Sequence, residues 1–295
     1  MAIEKVTVVG GSGTAGSAVV SALLASPFQL TILARASSTS KLPGGARIIK
    51  VADSHPLDEL VAAFTGQDAV VSTLGVLATD VQKRIIDAAA QAGIKRFIPS
   101  EFGLNLRNAR TLARIPAMAS KGEIIDHLKA QETKGLSWTG IATGAFFDWG
   151  LENGWLRVDL KNRSVQILND GTAKFSTSIL PRVGESVVQV LKHEAETRNR
   201  YIYTQSFNVS QQDIVKSLEA VSGQKWAVDF LDEETFIKDN ATQGDADDMK
   251  RIENVVFAQA VLDCDFEKEG LSNDVLGLQA HSLDAEIEKI LNSAA

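Results

Sequence analysis

Two stretches carry residue types that can do chemistry at the spacing chemistry needs. The first is Val6–Val20, VTVVGGSGTAGSAVV, where an apolar run stops at glycines and resumes as small helix-forming residues. Gly11, Gly13 and Gly16 satisfy G-x-G-x-x-G, and Gly10 with Gly13 and Gly16 satisfies G-x-x-G-x-x-G, with Ser12, Thr14 and Ala15 between them. After a strand and at the start of a helix, such a loop turns backbone N–H groups and the positive end of the helix dipole toward a pyrophosphate, and glycine lets the phosphates come close. The alternative is a tight strand-to-helix turn without a ligand. The context favours a dinucleotide.

Which dinucleotide is decided at the end of the second strand, where a site for the unphosphorylated cofactor usually places Asp or Glu against the ribose hydroxyls. Here the chain reads TILARASSTSK, with Arg35 in that region, no acid nearby in sequence, and Ser37, Ser38 and Lys41 following. That charge suits a 2′-phosphate, so NADPH is expected over NADH. A charge-assisted contact of about 1.5–3 kcal/mol corresponds to roughly ten- to over a hundred-fold preference. Asp53, in KVADS, either accepts from the adenine amine or caps the helix beginning near Pro56. Ser72, Thr73, Leu74 and Gly75 end the fourth strand at the carboxyl edge of the sheet, facing the same crevice.

The second stretch is AMASKGEIIDHLKAQ. Ile124, Ile125 and Leu128 lie three, four and seven residues beyond Lys121, so the lysine projects from the apolar face of a helix. Partial desolvation would lower its pKa toward the range useful for proton transfer. The other reading is a lysine at the edge of the stripe, its stem packed and its amine in water. Other catalytic groups are missing. The only tyrosines, Tyr201 and Tyr203, are followed four residues later by Gln205 and Phe207, so no Y-x-x-x-K pair exists. His55, His127, His193 and His281 show no metal-ligand spacing and no G-x-S-x-G motif is present, so no metal is expected.

The elements that must position these residues follow from hydrophobic rhythm. Val- and Ile-rich runs at VTVV, LTIL, RIIKV, DAVVSTL, KRFIPS and SWTGIA suit strands buried on both faces of a parallel sheet. Between them lie the helix patterns SAVVSALLA, PLDELVAAF, VQKRIIDAAAQAG and MASKGEIIDHLKAQ. The expected fold class is α/β: a doubly wound Rossmann sheet over 1–150, followed by a smaller mixed α/β substrate-binding region over 151–295 that interleaves with the sheet. The acidic stretch DEETFIKDNATQGDADDMK reads as a solvated mobile helix or loop, or as a lid. Phe146, Phe147, Trp149 and Trp155 suit either a flat apolar ligand or core.

Bulk properties narrow the classes. A chain of 295 residues with 30 Lys plus Arg against 37 Asp plus Glu, net charge −7, has no basic block to track nucleic acid. One cysteine, Cys264, excludes an internal disulfide and fits a reducing, cytoplasmic compartment. No secretory leader or apolar run of membrane-spanning length is read, so no membrane partner is expected.

GGSGTAG, TILAR, RFIPSEFGLN and the lysine of MASKGEIID together resemble the isoflavone reductase-like branch of the NmrA-like, atypical short-chain dehydrogenase family. The resemblance spans essentially the whole chain, and TGAFFDWGL, DGTAKFS and NRYIYTQSFNVSQQDIV look like its fungal members. It implies an NADPH-dependent oxidoreductase, a monomer or homodimer, acting on a small aromatic substrate of secondary metabolism. Lys121 falls at the family's catalytic lysine, and Arg35 and Lys41 fall where the family grips the 2′-phosphate. Pro99, Ser100 and Phe102 match the PSEFG segment near the nicotinamide, and Phe146 and Phe147 the segment lining the pocket. ATGAFFDWG departs from the plant pattern, so the resemblance does not carry the substrate across. The family also includes redox-sensing regulators that bind the dinucleotide without turnover, the rival reading that the missing Y-x-x-x-K motivates.

Overall fold

A computed structural model describes residues 2–76, 78–115, 118–240 and 249–294. The first half alternates as its hydrophobic rhythm requires: β1 (Lys5–Val9), α1 (Thr14–Leu24), β2 (Gln29–Arg35), β3 (Arg47–Val51), α2 (Leu57–Phe64), β4 (Ala69–Ser72), α3 (Thr79–Gln91), β5 (Arg96–Ile98). Then come α4 (Ala109–Arg114), α5 (Ala119–Gln131), β6 (Ser137–Ala142), β7 (Ala145–Phe146) and α6 (Phe147–Glu152). β1, β4, β5 and β6 are buried along nearly their whole length, because helices cover both faces of the sheet.

RIIKV departs from that expectation. β3 is the edge strand, with only Val51 buried and Ile48 47% exposed, since no strand lies beyond it and little packs on its outer half.

The second half begins with β8 (Val158–Asp159), β9 (Ser164–Leu168), β10 (Phe175–Ser178), α7 (Leu180–Lys192), α8 (Glu194–Thr197) and β11 (Arg200–Tyr203). It continues through β12 (Phe207–Val209), α9 (Gln211–Ser222), β13 (Ala227–Leu231), α10 (Glu233–Asn240), α11 (Met249–Asp263) and α12 (Leu283–Ala294). Part of it returns to the large sheet: β11 pairs in parallel with β6, and α7 lies against α1. The seven-stranded sheet therefore runs β11-β6-β5-β4-β1-β2-β3, all parallel, with the change of winding direction between β1 and β4. Ligands of such sheets bind in the crevice at that switch point, outside the carboxyl ends of the strands.

Three apolar clusters hold the layers. One joins α1 and α7 to one face through Val19, Val20, Leu23, Val183 and Val187. A second joins α2, α3 and α5 to the other through Leu60, Phe64, Ile85, Ile124 and Leu128. The third belongs to the cap, where the small sheets β12-β10-β7 and β13-β9-β8 pack with α9, α11 and α12. In the acidic stretch, α10 packs Phe236 edge-on against Phe257 of α11, while 241–248 lie outside the described residues. No helix among the described residues is long and apolar enough to cross a membrane.

Candidate active site

The glycine loop lies at the switch point. Gly10 has φ +86°, a conformation side chains rarely adopt, and a Cβ on Gly16 would stand 2.2 Å from the Gly10 carbonyl oxygen. Only glycine lets the loop fold back against the first turn of α1 so tightly. Gly11 is buried, its hydrogen side toward Val20 and Ile32, so it serves helix–sheet packing. Ser12, Gly13 and Thr14 are exposed, and α1 starts after Gly13 with no side-chain cap, which leaves its N-terminal N–H groups open to a ligand. Thr73 faces the loop from the end of β4, fixed by its N–H and hydroxyl to the Val9 carbonyl, each at 2.9 Å. Ser72 is fully buried and Gly75 exposed. This cradle fits a dinucleotide pyrophosphate, with the Thr73 hydroxyl packed against Gly10 and Gly16.

Around Arg35 the structure corrects two expectations. The acid absent from the local sequence arrives from the turn after β3: both carboxylate oxygens of Asp53 accept from Ser37, one from its N–H at 3.0 Å and the other from its hydroxyl. Those bonds, with Arg35 nearby, hold the Asp53 carboxyl below its ordinary range. The helix-cap role is not met, since α2 follows Pro56 without a side-chain cap. Lys50, which sequence reading passed over inside an apolar strand, donates to the carbonyls of Ala36 and Ser38 at 3.3 Å each. Arg35, Lys41 and Lys50, all exposed, thus outnumber Asp53 around this loop.

Lys121 stands in the first turn of α5. Ile124, Ile125 and Leu128 of its helix are buried, whereas Lys121 is half-buried and donates to the Ser100 carbonyl at 2.8 Å. Ser100 is itself fixed, its hydroxyl donating to the Leu74 carbonyl at 2.7 Å and its N–H to Gln82 Oε1 at 2.9 Å. The segment after β5 is thereby tied to the segment after β4. Pro99 is buried just before it and accepts from the Glu101 N–H through its carbonyl at 2.8 Å.

Beside Lys121 opens a cavity of about 220 Å³. Phe102, Leu104, Leu106, Met118, Phe146, Trp149, Trp155 and Val256 supply its apolar walls, and Glu101 and Lys121 its two ionisable groups. Phe147 is not among them. It is fully buried and meets Phe207 edge-on at 5.0 Å, because β7 ends at Phe146 and the turn into α6 sends the next side chain into the cap core. A larger groove of about 1330 Å³, between Arg157, Lys161, Asp229 and Glu288, contains none of the expected site residues.

Electrostatics single out the same pair. Burial pushes the Lys121 amine below its ordinary value of 10.5, with the Glu101 carboxyl pulling it back. Burial pushes the Glu101 carboxyl up, opposed first by Lys121 and then by the Tyr201 hydroxyl, which donates to Glu101 Oε2 at 3.1 Å. Sequence reading missed Glu101 and Tyr201. The signal for Tyr201 was its strand alternation with Tyr203, whose ring it meets at 5.6 Å. His193 ends α7 with its ring against the Gln189 carbonyl, His127 pairs with Asp87, and His281 meets Arg182 and Ser206; none lines the cavity. Cys264 is buried, its thiol pushed up to about 12 by burial. No cluster of three metal-ligating side chains occurs among the described residues.

Comparison with known proteins finds relatives that match most of the chain. The model of the NmrA-like family matches residues 3–269. The chain is 41% identical over 232 residues to oxidoreductase aprR of Aspergillus flavus, covering 78% of each chain. It is 31% identical over 296 residues to oxidoreductase poxI of Penicillium oxalicum, covering 97% of this chain and 94% of that one. The solved structure of AtPrR2 with NADP+ and (+)pinoresinol superposes with a TM-score of 0.81 over 98% of this chain and 99% of the other, at 21% identity, a likeness of fold.

Proposed function

The chain belongs to the NmrA-like family, and from that premise we propose that it is an NADPH-dependent oxidoreductase of a small aromatic or phenolic molecule, with Lys121 managing the proton. The observation that carries the reading is the position of Lys121: its partly desolvated amine borders an aromatic-lined cavity and is tied through Ser100 to the segment after β4, the strand next to the one that feeds the glycine loop. Two relatives bear the name oxidoreductase, and the structural neighbour holds NADP+, which supports the same choice.

In this reading Gly10, Gly13, Gly16 and the open N-terminus of α1 receive the pyrophosphate, with Gly11, Ser12, Thr14 and Ala15 shaping the loop. Arg35 and Lys41, joined by Lys50, hold the 2′-phosphate. Ser72, Thr73, Leu74, Gly75, Pro99, Ser100 and Phe102 border the course of the cofactor toward the cavity, and Asp53 orders the Ser37 loop. Bound NADPH supplies a hydride, the hard chemistry of the reaction. The protein excludes water with Phe146, Trp149 and Trp155, orients the substrate ring, and moves a proton at Lys121 Nζ. At about 220 Å³ the cavity is smaller than the roughly 300–1,000 Å³ of drug-sized sites, which favours one ring or a fused pair. A cytoplasmic location and a monomer or homodimer complete the proposal.

Calorimetric titration with NADPH, NADP+, NADH and NAD+ tests it, followed by NADPH oxidation assays with single-ring and bicyclic phenols and enones. The expected result is binding of the 2′-phosphorylated forms at least about tenfold tighter, with the preference reduced in Arg35→Ala. Equal binding of NADH and NADPH would refute the cofactor assignment. Strong discrimination between NADPH and NADP+, with no turnover of any acceptor, would instead identify a redox-sensing regulator.

A further inference from the structure

Glu101 is 1% exposed, yet it lines the same cavity as Lys121. Its Oε2 accepts from the Tyr201 hydroxyl, and its Oε1 is buried without a hydrogen-bond partner. A carboxyl so placed is costly unless a charge of opposite sign compensates it. Within the cavity wall that charge is Lys121; among the described residues every other lining residue is apolar, a glycine or a tryptophan. Chain geometry enforces the juxtaposition, since the carbonyl that receives Lys121 Nζ belongs to Ser100, the residue immediately before Glu101.

Tyr201 reaches Glu101 from β11, a hundred residues away in sequence, and has no cavity-lining role of its own. Its phenol is partly buried and pushed well above its ordinary pKa by burial and by the adjacent carboxyl, so it stays a donor to Glu101. Among the described residues, the other charged and titratable groups that face the cluster are Arg107, acting on Glu101 from the loop before α4, and Tyr203, packed on the Tyr201 ring. α6 contributes Trp149 and α11 contributes Val256, neither of them ionisable.

We propose that Glu101 is a positioning residue acting through Lys121: anchored by Tyr201, its carboxyl is the charge partner that decides when the Lys121 amine holds its proton. Ionised Glu101 stabilises the ammonium against the apolar wall and so opposes the lowering that burial imposes on the amine. Tyr201 acts one step further back, by donating to the carboxylate and favouring its ionised form. The consequence for turnover rests on the reading of Lys121 given above, but the charge coupling does not.

Labelling of the lysine amine tests the coupling without a substrate. The full-length protein is pulse-acetylated with acetic anhydride across a pH series, and acetylation of Lys121 is quantified by peptide mass spectrometry against exposed lysines as reference. Glu101→Gln is expected to move the Lys121 midpoint down by about one pH unit or more, from the usual effect of a nearby opposite charge. Tyr201→Phe is expected to move it in the same direction by less, and to add nothing in the Glu101→Gln background. An unchanged midpoint in folded Glu101→Gln overturns the proposal, as does a Tyr201→Phe shift that persists in the double variant. Should Glu101→Gln not fold, Tyr201→Phe carries the test alone, and an unmoved midpoint there is decisive against it. Absent turnover with an intact midpoint shift would count against the oxidoreductase reading only.

Discussion

Lys121 donates to the Ser100 carbonyl across 2.8 Å, a bond that ties the first turn of α5 to the segment after β5. It fixes the amine at the rim of the cavity and costs the ammonium only one of its three donors. A residue held this way can exchange a proton with a bound molecule without first being ordered.

Replacing Lys121 by Met is therefore expected to lower kcat at least about a hundredfold while NADPH affinity changes little, the usual size of a general acid–base contribution. Burial holds the amine below 10.5, so a step needing the neutral amine accelerates as pH rises, with its midpoint below that value. The variant should lose this limb of the pH profile. Steady-state kinetics with calorimetry on the same preparations measure both, and near-wild-type kcat would remove Lys121 from the mechanism.

Gly16 and Gly13 should fail differently. A methyl on Gly16 meets the Gly10 carbonyl oxygen at 2.2 Å, whereas at Gly13 the nearest atom, the same oxygen, is 3.5 Å away. Gly16→Ala is expected to cost about 1–3 kcal/mol of stability through overpacking. Gly13→Ala should cost under about 1 kcal/mol, yet weaken NADPH binding at least about tenfold by filling the approach to the helix N-terminus. Denaturant unfolding and calorimetric titration separate the two; equal stabilities would contradict the close-approach argument for Gly16.

Phe146 and Phe147 are neighbours with opposite fates. Truncating the buried Phe147 to Ala should remove about 3–5 kcal/mol of stability, as large core deletions do. Phe146→Ala should instead raise KM for an aromatic substrate several-fold with a much smaller loss of stability, since Phe146 is only half-buried and already borders open space. Thermal unfolding ranks them first, and a Phe147 variant as stable as the Phe146 variant would overturn the assignment.

Acid stability should report Asp213. Its carboxylate accepts from the Ser210 N–H and hydroxyl in the capping box of α9 and pairs with Lys174 at 2.5 Å, and it is held down to about 2 from 3.8. A depressed carboxyl stabilises the fold above its unfolded pKa and loses that contribution as pH falls through the folded one. The contribution, about 1–2 kcal/mol after allowance for solvent screening, should fade between about pH 4 and 2. Asp213→Asn should be less stable than wild type at pH 6 and nearly equal to it at pH 2; a constant difference in unfolding free energy across that range would argue against the linkage.

Much of this molecule is local enough to be written in the chain. Strand and helix periods repeat within windows of a dozen residues, so the parallel sheet and the glycine loop follow from the order of apolar and small residues. The side of α5 that carries Lys121 follows from helical spacing, because Ile124, Ile125 and Leu128 must face inward. Contacts between distant segments have no such local signature. Asp53 reaches Ser37 only because β3 pairs with β2 in one register, and Phe147 parts from Phe146 only because β7 ends where α6 begins. Tyr201 meets Glu101 because β11 returns to the far edge of the sheet beside β6 after α7 has packed on α1, a pairing that no residue near either partner announces.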